Sequence, residues 1–207
     1  MTKLYHITHI RNLKSIISRG GILSDNEMNK ENVKHVEIAH KNIKERRARK
    51  PVPLKPGGTL ADYVPFYFAP RSPMLYAIHT GFVEGYMGGQ ESVLHLVTTV
   101  ETVLSQNLPF VFTDGHAEMA FSDFYNDIDK LTKIDWDIMK AEYWNDTPQD
   151  NDRKRRRQAE FLVYQFFPWN FFEEIAVIND TMVGRVDEIL SSFKKCPKVS
   201  VRKKWYY

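Results

Sequence analysis

The chain has 207 residues, of which 43% are hydrophobic and 13% aromatic, and its formal net charge at pH 7 is +3. This composition excludes a disordered chain and a uniform polycation, and the single cysteine, Cys196, excludes an internal disulfide and a cysteine-based zinc cluster. Because the sequence lacks a run of 18 apolar residues and a signal-peptide pattern, it predicts one cytoplasmic domain, residues 1–207, with no membrane partner.

The first half of the chain is predicted to contain two strands and three helices. Thr8 precedes an apolar pattern with helical spacing and is a candidate N-cap, and Ser72 followed by Pro73 marks another helix start. Gly20 and Gly21 are expected to end the first helix. The predicted elements are a strand at 4–8, a helix through 10–17, a helix at 32–48, a strand at 64–70 and a helix at 72–81.

The second half is predicted to be richer in strands. Neither an internal repeat nor a glycine-rich phosphate-binding fingerprint is visible in it. The whole pattern predicts an α+β domain with small packed β-sheets, a cleft between them and helical insertions. The predicted elements are strands at 92–99, 109–114, 160–167, 174–179 and 199–207, and helices at about 100–106, 118–131, 135–145 and 181–194.

Two polar residues share one face of the first predicted strand. His6 and Thr8 lie two positions apart, so their side chains point in the same direction. An imidazole beside a hydroxyl suits the vicinal diol of a ribose. The alternative is a strand end whose polar groups cap the following helix, and these two residues alone leave both interpretations open.

A run of cations leads directly into a predicted buried strand in the segment RKRRRQAEFLVY, residues 153–164. Gln158 and Glu160 alternate along this segment and would share a face. A carboxylate beside bound anions suits the stabilisation of positive charge that develops on a sugar. The commoner alternative is an exposed glutamate at the start of a strand.

A second cationic segment, residues 41–50, is predicted to be helical. Helical spacing places Arg46 with Arg49 or Lys50 on one face and Arg47 on another. A solvated helix face is the ordinary interpretation of such a run. Two runs beside an aromatic-rich core nevertheless favour contact with a phosphate backbone.

The histidines are predicted to serve no metal site. His116 ends the strand in FTDGH and enters a loop, a position where functional histidines and simply exposed ones both occur. No metal-ligand spacing is found among the other histidines, which are His9, His35, His40, His79 and His95.

The order of these motifs points to a family. An H-x-T strand, an aromatic strand FYF followed by SPMLYA, and a late Q-x-E strand succeed one another as in NAD-consuming ADP-ribosyltransferases. The sequence resembles the DarT toxins, which ADP-ribosylate thymidine in single-stranded DNA. The resemblance extends over nearly the whole chain, in YHITHIRNLKSI, ERRARKPVP, PGGTLADYVPFYFAPRSPMLYAI, GGQESVLHLV, PFVFTDGHA, AEFLVY and VRKKWYY.

The resemblance implies an NAD site at the start and middle of the chain. By similarity, His6 and Thr8 hold the ribose and adenosine side of NAD, and Tyr67 packs against the nicotinamide. Arg71 and Met74 are expected along the same dinucleotide cleft. NAD is thus expected as a consumed co-substrate, without a metal ion.

The resemblance also implies the catalytic and DNA-contacting residues. Glu160 and Arg47 match the catalytic glutamate and arginine of the family, with Arg46 and Arg49 as neighbouring alternatives to Arg47. His116 is expected near the target base. The cationic run is expected to contact the DNA substrate through Arg153, Lys154, Arg155, Arg156 and Arg157.

Three functions are therefore carried forward. The first is a toxin of a toxin–antitoxin system that modifies thymidine in single-stranded DNA, with a macrodomain antitoxin that removes the modification. The second is a transferase of the same fold that acts on RNA or protein. The third is a catalytically inactive module that binds single-stranded nucleic acid.

Overall fold

The computed structural model describes all residues, 1–207, as ten β-strands and eight α-helices with short 3-10 segments between them. The strands are β1 (Lys3–His9), β2 (Gly21–Leu23), β3 (Tyr63–Tyr67), β4 (Val93–Thr99), β5 (Phe110–His116), β6 (Phe124–Tyr125), β7 (Ala159–Tyr164), β8 (Phe166–Pro168), β9 (Glu174–Val177) and β10 (Lys198–Val201). The helices are α1 (Leu13–Ser18), α2 (Asp25–Lys30), α3 (Lys41–Arg47), α4 (Pro73–His79), α5 (Val100–Ser105), α6 (Trp136–Lys140), α7 (Arg153–Arg157) and α8 (Asp180–Leu190).

Eight strands form one sheet in the order β10-β9-β4-β1-β3-β7-β5-β6, and β2 pairs with β8 separately. The sheet is weakest at its centre, where β1 and β3 share one residue pair, Tyr5 with Tyr67. By contrast, β1 pairs with β4 through seven residues, and β3 pairs with β7 through five. The sheet therefore divides into two four-stranded halves, where the sequence predicted separate small sheets, and the expected cleft lies between the halves.

Buried aromatic side chains hold the strands of the β3–β7–β5 half together. Phe66, Phe112 and Phe161 are each 0% exposed and belong to the main hydrophobic core. Phe112 and Phe161 stack with nearly parallel rings, 6.2 Å between centroids. Each fully buried phenylalanine stabilises the fold by about 1.5–3 kcal/mol. This packing fixes the backbone of β7, on which Glu160 lies.

The helix starts were predicted with mixed success. At α4, the Ser72 hydroxyl accepts a hydrogen bond from the N–H of Leu75 at 3.1 Å, and Pro73 is the first helical residue, which confirms the prediction. Thr8 is not a cap. His9 instead caps the 3-10 segment at 10–12 that precedes α1, because its Nδ1 accepts the N–H of Arg11 at 3.1 Å.

The helix predicted over 32–48 is wrong for its first part, since α3 begins only at Lys41. Asn12 explains the difference. Its side-chain oxygen accepts the N–H of Val36 at 2.7 Å, and its side-chain nitrogen donates to the Val36 carbonyl at 2.9 Å. Both backbone groups of Val36 are thus satisfied outside a helix.

The amphipathic helix predicted at 118–131 is wrong, and the one predicted at 135–145 is confirmed only for its first part, α6. The first region forms a loop, the short strand β6 and a 3-10 segment, and the second contains only α6. Hydrogen bonds to nearby side chains replace helical hydrogen bonds in the first region. For example, the N–H of Asp123 donates to Oδ1 of Asp114 at 3.0 Å. The longest helix, α8, has 11 residues, so none approaches the length and apolarity needed to cross a bilayer.

Candidate active site

A cavity of about 380 Å³ opens at the junction of the two sheet halves. Its volume is typical of a small-molecule site. His6 and Thr8 line it from β1, Tyr67 from β3, Met74 from α4 and Glu160 from β7. Together with Arg47 from α3, six residues that the sequence assigned to catalysis or NAD binding share one cavity.

The segment that precedes α3 forms another wall of this cavity. Val36, Glu37 and His40 belong to the lining, which the sequence did not predict because it placed these residues in a helix. The Asn12–Val36 hydrogen bonds attach this wall to α1.

Arg47 and Glu160 form a buried ion pair inside the cavity. The guanidinium Nη1 lies 2.8 Å from Oε2 of the carboxylate, and the side chains are 11% and 5% exposed. The other carboxylate oxygen, Oε1, accepts the N–H of Ala117 at 3.1 Å. Glu160 is thus held on both oxygens, which excludes the alternative of an exposed glutamate at a strand start.

Burial and charge fix the protonation of the groups around Glu160. Burial disfavours the charged guanidinium of Arg47, but the adjacent Glu160 carboxylate raises its pKa above the ordinary value. Burial, reinforced by the Glu160 charge, also raises the pKa of Tyr67. The site therefore combines a carboxylate, a permanent cation and a neutral phenol. One nitrogen of Arg47, Nη2, is buried without a partner and can donate to a substrate oxygen.

Successive cations of α3 reach different partners. Lys44 lies 2.9 Å from Asp25, and Arg46 Nη2 donates to Glu118 at 3.0 Å. Of the neighbouring arginines, Arg47 is the one that reaches Glu160. These ion pairs fix α3 against the cavity.

Hydrogen bonds define which nitrogen of His6 is free. The Nδ1 of His6 lies 2.9 Å from the carbonyl of Pro65, and because a carbonyl only accepts, Nδ1 carries the proton. Burial lowers the pKa of His6, which favours the neutral ring. Its Nε2 is then an acceptor, as a ribose hydroxyl requires. Thr8, beside it, accepts a hydrogen bond from Asn12 at 3.3 Å.

His116 has the opposite tautomer. Its Nδ1 accepts the N–H of Glu118 at 3.1 Å, so the proton of the neutral ring is on Nε2. Burial lowers the pKa of His116 and keeps the ring neutral. Since His116 also lines the cavity, it offers a hydrogen-bond donor to a substrate.

Arg71 lies outside the cavity lining, in contrast to the prediction. Its guanidinium carbon is 4.3 Å from the ring centroid of Tyr207. Its carbonyl accepts hydrogen bonds from Arg157 Nη2 at 3.0 Å and from the Tyr207 hydroxyl at 3.1 Å. Arg71 thus joins the C-terminal residue to α7.

The prediction that all five cations of residues 153–157 contact DNA is wrong for Arg157. This residue is 3% exposed, and its guanidinium donates to backbone carbonyls, including those of Met139 at 2.8 Å and Ala141 at 3.2 Å. Burial lowers the pKa of Arg157 to about 10, still far above neutrality. Arg157 therefore connects α6 and α7 within the fold.

Aspartates bind the two preceding arginines. Arg155 lies 2.7 Å from Asp152 and 3.2 Å from Asp114. Arg156 is paired with Asp135 and Asp150. These carboxylates neutralise two of the five charges that the sequence assigned to phosphate contact.

Lys154 differs from the other cations of α7. It lines the cavity together with Gln158, and no carboxylate lies within 4.0 Å of its ammonium group. Arg153 instead donates to the carbonyls of Tyr143 and Asn145 at 2.8 and 3.0 Å. Lys154 is thus the cation of the run best placed to meet an anionic substrate.

The sheet is split into two halves, and the central cleft holds a carboxylate–arginine pair and a histidine nitrogen that can accept a hydrogen bond. This is the organisation expected of an ADP-ribosyltransferase. No three histidine, cysteine, aspartate or glutamate side chains are grouped to hold a metal ion. A family model described as "ssDNA thymidine ADP-ribosyltransferase, DarT" matches residues 5–207. The chain belongs to the DarT family.

Known proteins agree with this assignment. The DNA ADP-ribosyl transferase of Thermus sp. (strain 2.9) is 48% identical over 208 residues, which cover 100% of this chain and 96% of the relative. Thermus sp. 2.9 DarT in complex with ADP-ribosylated ssDNA has a TM-score of 0.93 at 47% identity, covering 100% of this chain and 96% of that one. The same protein in complex with NAD+ has a TM-score of 0.90 at 45% identity, with coverages of 100% and 98%. These matches confirm the predicted family and fold class.

One longer relative is named for two activities, a DNA ADP-ribosyl transferase and a DNA ADP-ribosyl glycohydrolase. A protein of Thermosipho africanus, described as a DNA ADP-ribosyl transferase–DNA ADP-ribosyl glycohydrolase fusion protein, is 28% identical over 192 residues. The match covers 92% of this chain and 46% of that protein.

Proposed function

We propose that this chain, acting as one domain, transfers ADP-ribose from NAD to thymidine in single-stranded DNA and is the toxin of a toxin–antitoxin system. The Arg47–Glu160 ion pair at the base of the central cavity is the observation that carries the proposal. The relative bound to NAD+ and the relative bound to ADP-ribosylated ssDNA support the two substrates.

The cavity offers NAD a set of matching groups. The free acceptor nitrogen of His6 and the hydroxyl of Thr8 suit ribose hydroxyls, as the shared face on β1 suggested. The neutral ring of Tyr67 offers a flat surface for the nicotinamide, and its hydroxyl lies 3.6 Å from the Met74 sulfur. Substrate binding thus needs no metal ion in this assignment.

Charge complementarity suits the transfer step. When the nicotinamide–ribose bond breaks, its electron pair leaves with the nicotinamide nitrogen and positive charge develops on the ribose. Glu160 stabilises this charge from a site of low polarity, where a carboxylate acts most strongly. The imide nitrogen of thymine forms the new bond to the ribose carbon, and its proton passes to the Glu160 carboxylate. Arg47, which stays charged, stabilises the negative charge on the ring.

The chemistry also accounts for a single-stranded substrate. In a duplex, the imide edge of thymine is occupied by base pairing, so the base must be unpaired before it reacts. The cavity lies in a cleft that a duplex base cannot enter without leaving its stack. Both substrates occur inside cells, so we place the reaction in the cytoplasm.

Label transfer from NAD to separate polymers tests the proposed function. NAD labelled on its adenosine half is incubated with the protein and with single-stranded DNA, duplex DNA, RNA or a protein pool. We expect label only in single-stranded DNA that contains thymidine. Label in RNA or protein would establish the second candidate function, and unconsumed NAD would establish the inactive binding module.

A hydrolase partner follows from the toxin role. We propose a macrodomain antitoxin that removes ADP-ribose from the thymidine, and the name of the Thermosipho fusion protein supports such a pairing. Expression of the chain should arrest growth, and co-expression of a DNA ADP-ribosyl glycohydrolase should restore it. Harmless expression of the active chain at high level would contradict the toxin role.

We expect Lys154→Gln to weaken single-stranded DNA binding, because its ammonium group has no carboxylate partner and faces the cavity. The log–log slope of DNA affinity against salt should fall by roughly 0.7, the value for one phosphate contact on a single strand. The affinity for NAD should not change. The measurement is a fluorescence-anisotropy titration at several salt concentrations.

Lys203→Gln is the matched control for Lys154→Gln. It makes the same change in net charge on the exposed segment after β10, the edge strand opposite β6. The control should leave the salt slope unaltered. Equal slopes for both variants and the wild type would remove Lys154 from the DNA path.

The rate should also depend on pH through His116. Because burial lowers its pKa below the ordinary value of about 6.5, the ring is neutral at neutral pH and gains a proton only below that value. Protonation of Nδ1 removes the acceptor for the Glu118 N–H and displaces the ring. We expect kcat/KM for DNA to be flat between about pH 7 and 8 and to fall below about 6.5.

His116→Gln isolates this effect, because the glutamine amide keeps a donor near the position of Nε2 but does not titrate. Its pH profile should lose the acidic decline. An unchanged decline in the variant would assign it to another neutral histidine of the cavity, such as His6.

A further inference from the structure

The loop between β5 and β6 presents an apolar surface to solvent beside the active site. Phe121 is 65% exposed, and Met119 in the same loop is 41% exposed. The cavity chemistry described above uses neither side chain. Exposed apolar groups that lie together near a binding site commonly mark a contact surface.

This loop is ordered by its own hydrogen bonds. The N–H of Met119 donates to the His116 carbonyl at 3.0 Å, and the N–H of Ser122 donates to the Met119 carbonyl at 3.3 Å. The Ser122 hydroxyl accepts a hydrogen bond from Arg155 at 3.2 Å. Phe121 is therefore presented to solvent on a fixed turn.

A partly buried cation, Arg155, supports the ring of Phe121. The guanidinium carbon of Arg155 lies 5.5 Å from the ring centroid. Asp152 binds two nitrogens of this guanidinium, each at 2.7 Å, so its position is fixed. Gly115 provides the necessary space, since a Cβ there would lie 2.2 Å from Arg155 Nη1. One side of the ring thus faces a cation, and the rest remains free for a ligand.

The loop begins at the reacting centre. The N–H of Ala117 is bound to the Glu160 carboxylate at 3.1 Å, and His116, one residue earlier, lines the cavity. Four residues extend at most about 14 Å, so Phe121 lies within that distance of Ala117. A base that neighbours the target thymidine in the same strand can reach this ring.

We propose that Phe121, supported by Arg155, stacks against the base next to the target thymidine and so contributes to substrate selection. This inference rests on the proposed function. An unpaired base has a free π face, and stacking on an aromatic side chain is the usual way that proteins hold a single strand. The guanidinium of Arg155 against one face of the ring holds Phe121 in place, so the other face stays available to the base.

Substitutions at Phe121 test the proposal with an oligonucleotide that contains one thymidine. Phe121→Ala should raise KM for DNA roughly tenfold, the loss expected for one stacked base, with kcat changed by less than about twofold. Phe121→Leu keeps the apolar bulk but lacks the aromatic face and should lose as much, whereas Phe121→Trp should retain wild-type KM. NAD affinity and the thermal unfolding temperature should be unaffected in all three, which verifies that the cavity and the fold are intact.

Phe82→Ala is the matched control, because Phe82 is also strongly exposed, at 75%, but belongs to a different loop, the one that follows α4. Abasic sites placed on either side of the thymidine identify the stacked base. At the position whose base stacks on Phe121, the abasic site should raise KM for the wild-type protein. The same abasic site should not raise KM further in Phe121→Ala, because the stacking contact is already lost.

Several results would overturn the proposal. The first is a KM for DNA in Phe121→Ala equal to that of the wild type, and the second is an equal rise of KM in Phe82→Ala. The third is a further rise of KM in Phe121→Ala whichever of the two positions carries the abasic site. The proposed function fails separately, when the wild-type protein modifies no oligonucleotide at all.

Discussion

Glu160→Gln is expected to lower kcat/KM for DNA modification by about a thousandfold, the upper range for losing one electrostatic contact made in the transition state. The amide keeps the size of the side chain but removes the negative charge that stabilises the developing cation. It can still accept the N–H of Ala117, which holds Glu160 at 3.1 Å in the wild type. NAD binding should therefore be largely retained. Product formation, NAD affinity and thermal unfolding are the three measurements.

Glu118→Gln provides the matched control for this substitution. Glu118 pairs with Arg46, which precedes Arg47 in helix α3. This ion pair lies nearer the surface than the Arg47–Glu160 pair, since the Arg46 side chain is 53% exposed. An exposed pair contributes little to stability, so activity should stay within a few-fold of wild type. Transfer by Glu160→Gln at the level of the Glu118→Gln control would exclude Glu160 from the mechanism.

Arg157→Ala is expected to lower the free energy of unfolding by about 3–5 kcal/mol. Removing the guanidinium leaves the carbonyls of Met139 and Ala141 without a donor, and the Arg71 carbonyl keeps only the Tyr207 hydroxyl. Each such group costs about 1–3 kcal/mol, and the vacated volume adds a cavity. Urea denaturation monitored by fluorescence measures the change.

Lys154→Ala in the same helix is the control for stability. Its ammonium group makes no ion pair, so the free energy of unfolding should change by less than about 0.5 kcal/mol. Equal, small changes for both variants would contradict the structural role of Arg157 and return it to the DNA-contacting group.

Local patterns predicted the elements that local interactions determine. The Ser72–Pro73 start of α4 is encoded by neighbouring residues, and the structure confirms it. The shared face of His6 and Thr8 follows from strand alternation alone, and both residues line the cavity. The family resemblance singled out Arg47 and Glu160 as catalytic residues, but their ion pair was not predicted, because they are 113 residues apart and no local pattern connects them.

The cationic run was misjudged because the direction of each side chain depends on distant partners. Asp146, Asp150 and Asp152 directly precede the run, and this acidic segment was an available signal that the arginines are neutralised internally. Asp114 and Asp135 could not have been identified, since only the tertiary fold brings them to α7. A count of cations therefore overestimated the charge offered to DNA.

The sheet could be predicted only in outline. Residues 160–167 read as one strand, but Gln165 has a φ of 59° and separates β7 from β8. A left-handed conformation at a residue other than glycine leaves little trace in sequence. The pairing of β1 with β3 at a single position is likewise a long-range feature, and it is this weak junction that opens the cavity.

Mass spectrometry of a single-stranded oligonucleotide with one thymidine, incubated with NAD and the protein, tests the central claim most directly. We expect the mass of one ADP-ribosyl group to be added, and fragmentation should place it on the thymine base. The product should form about a thousandfold more slowly with Glu160→Gln and be absent with an oligonucleotide that lacks thymidine. An adduct on a phosphate or another base, or NAD consumed with no DNA adduct, would contradict the account.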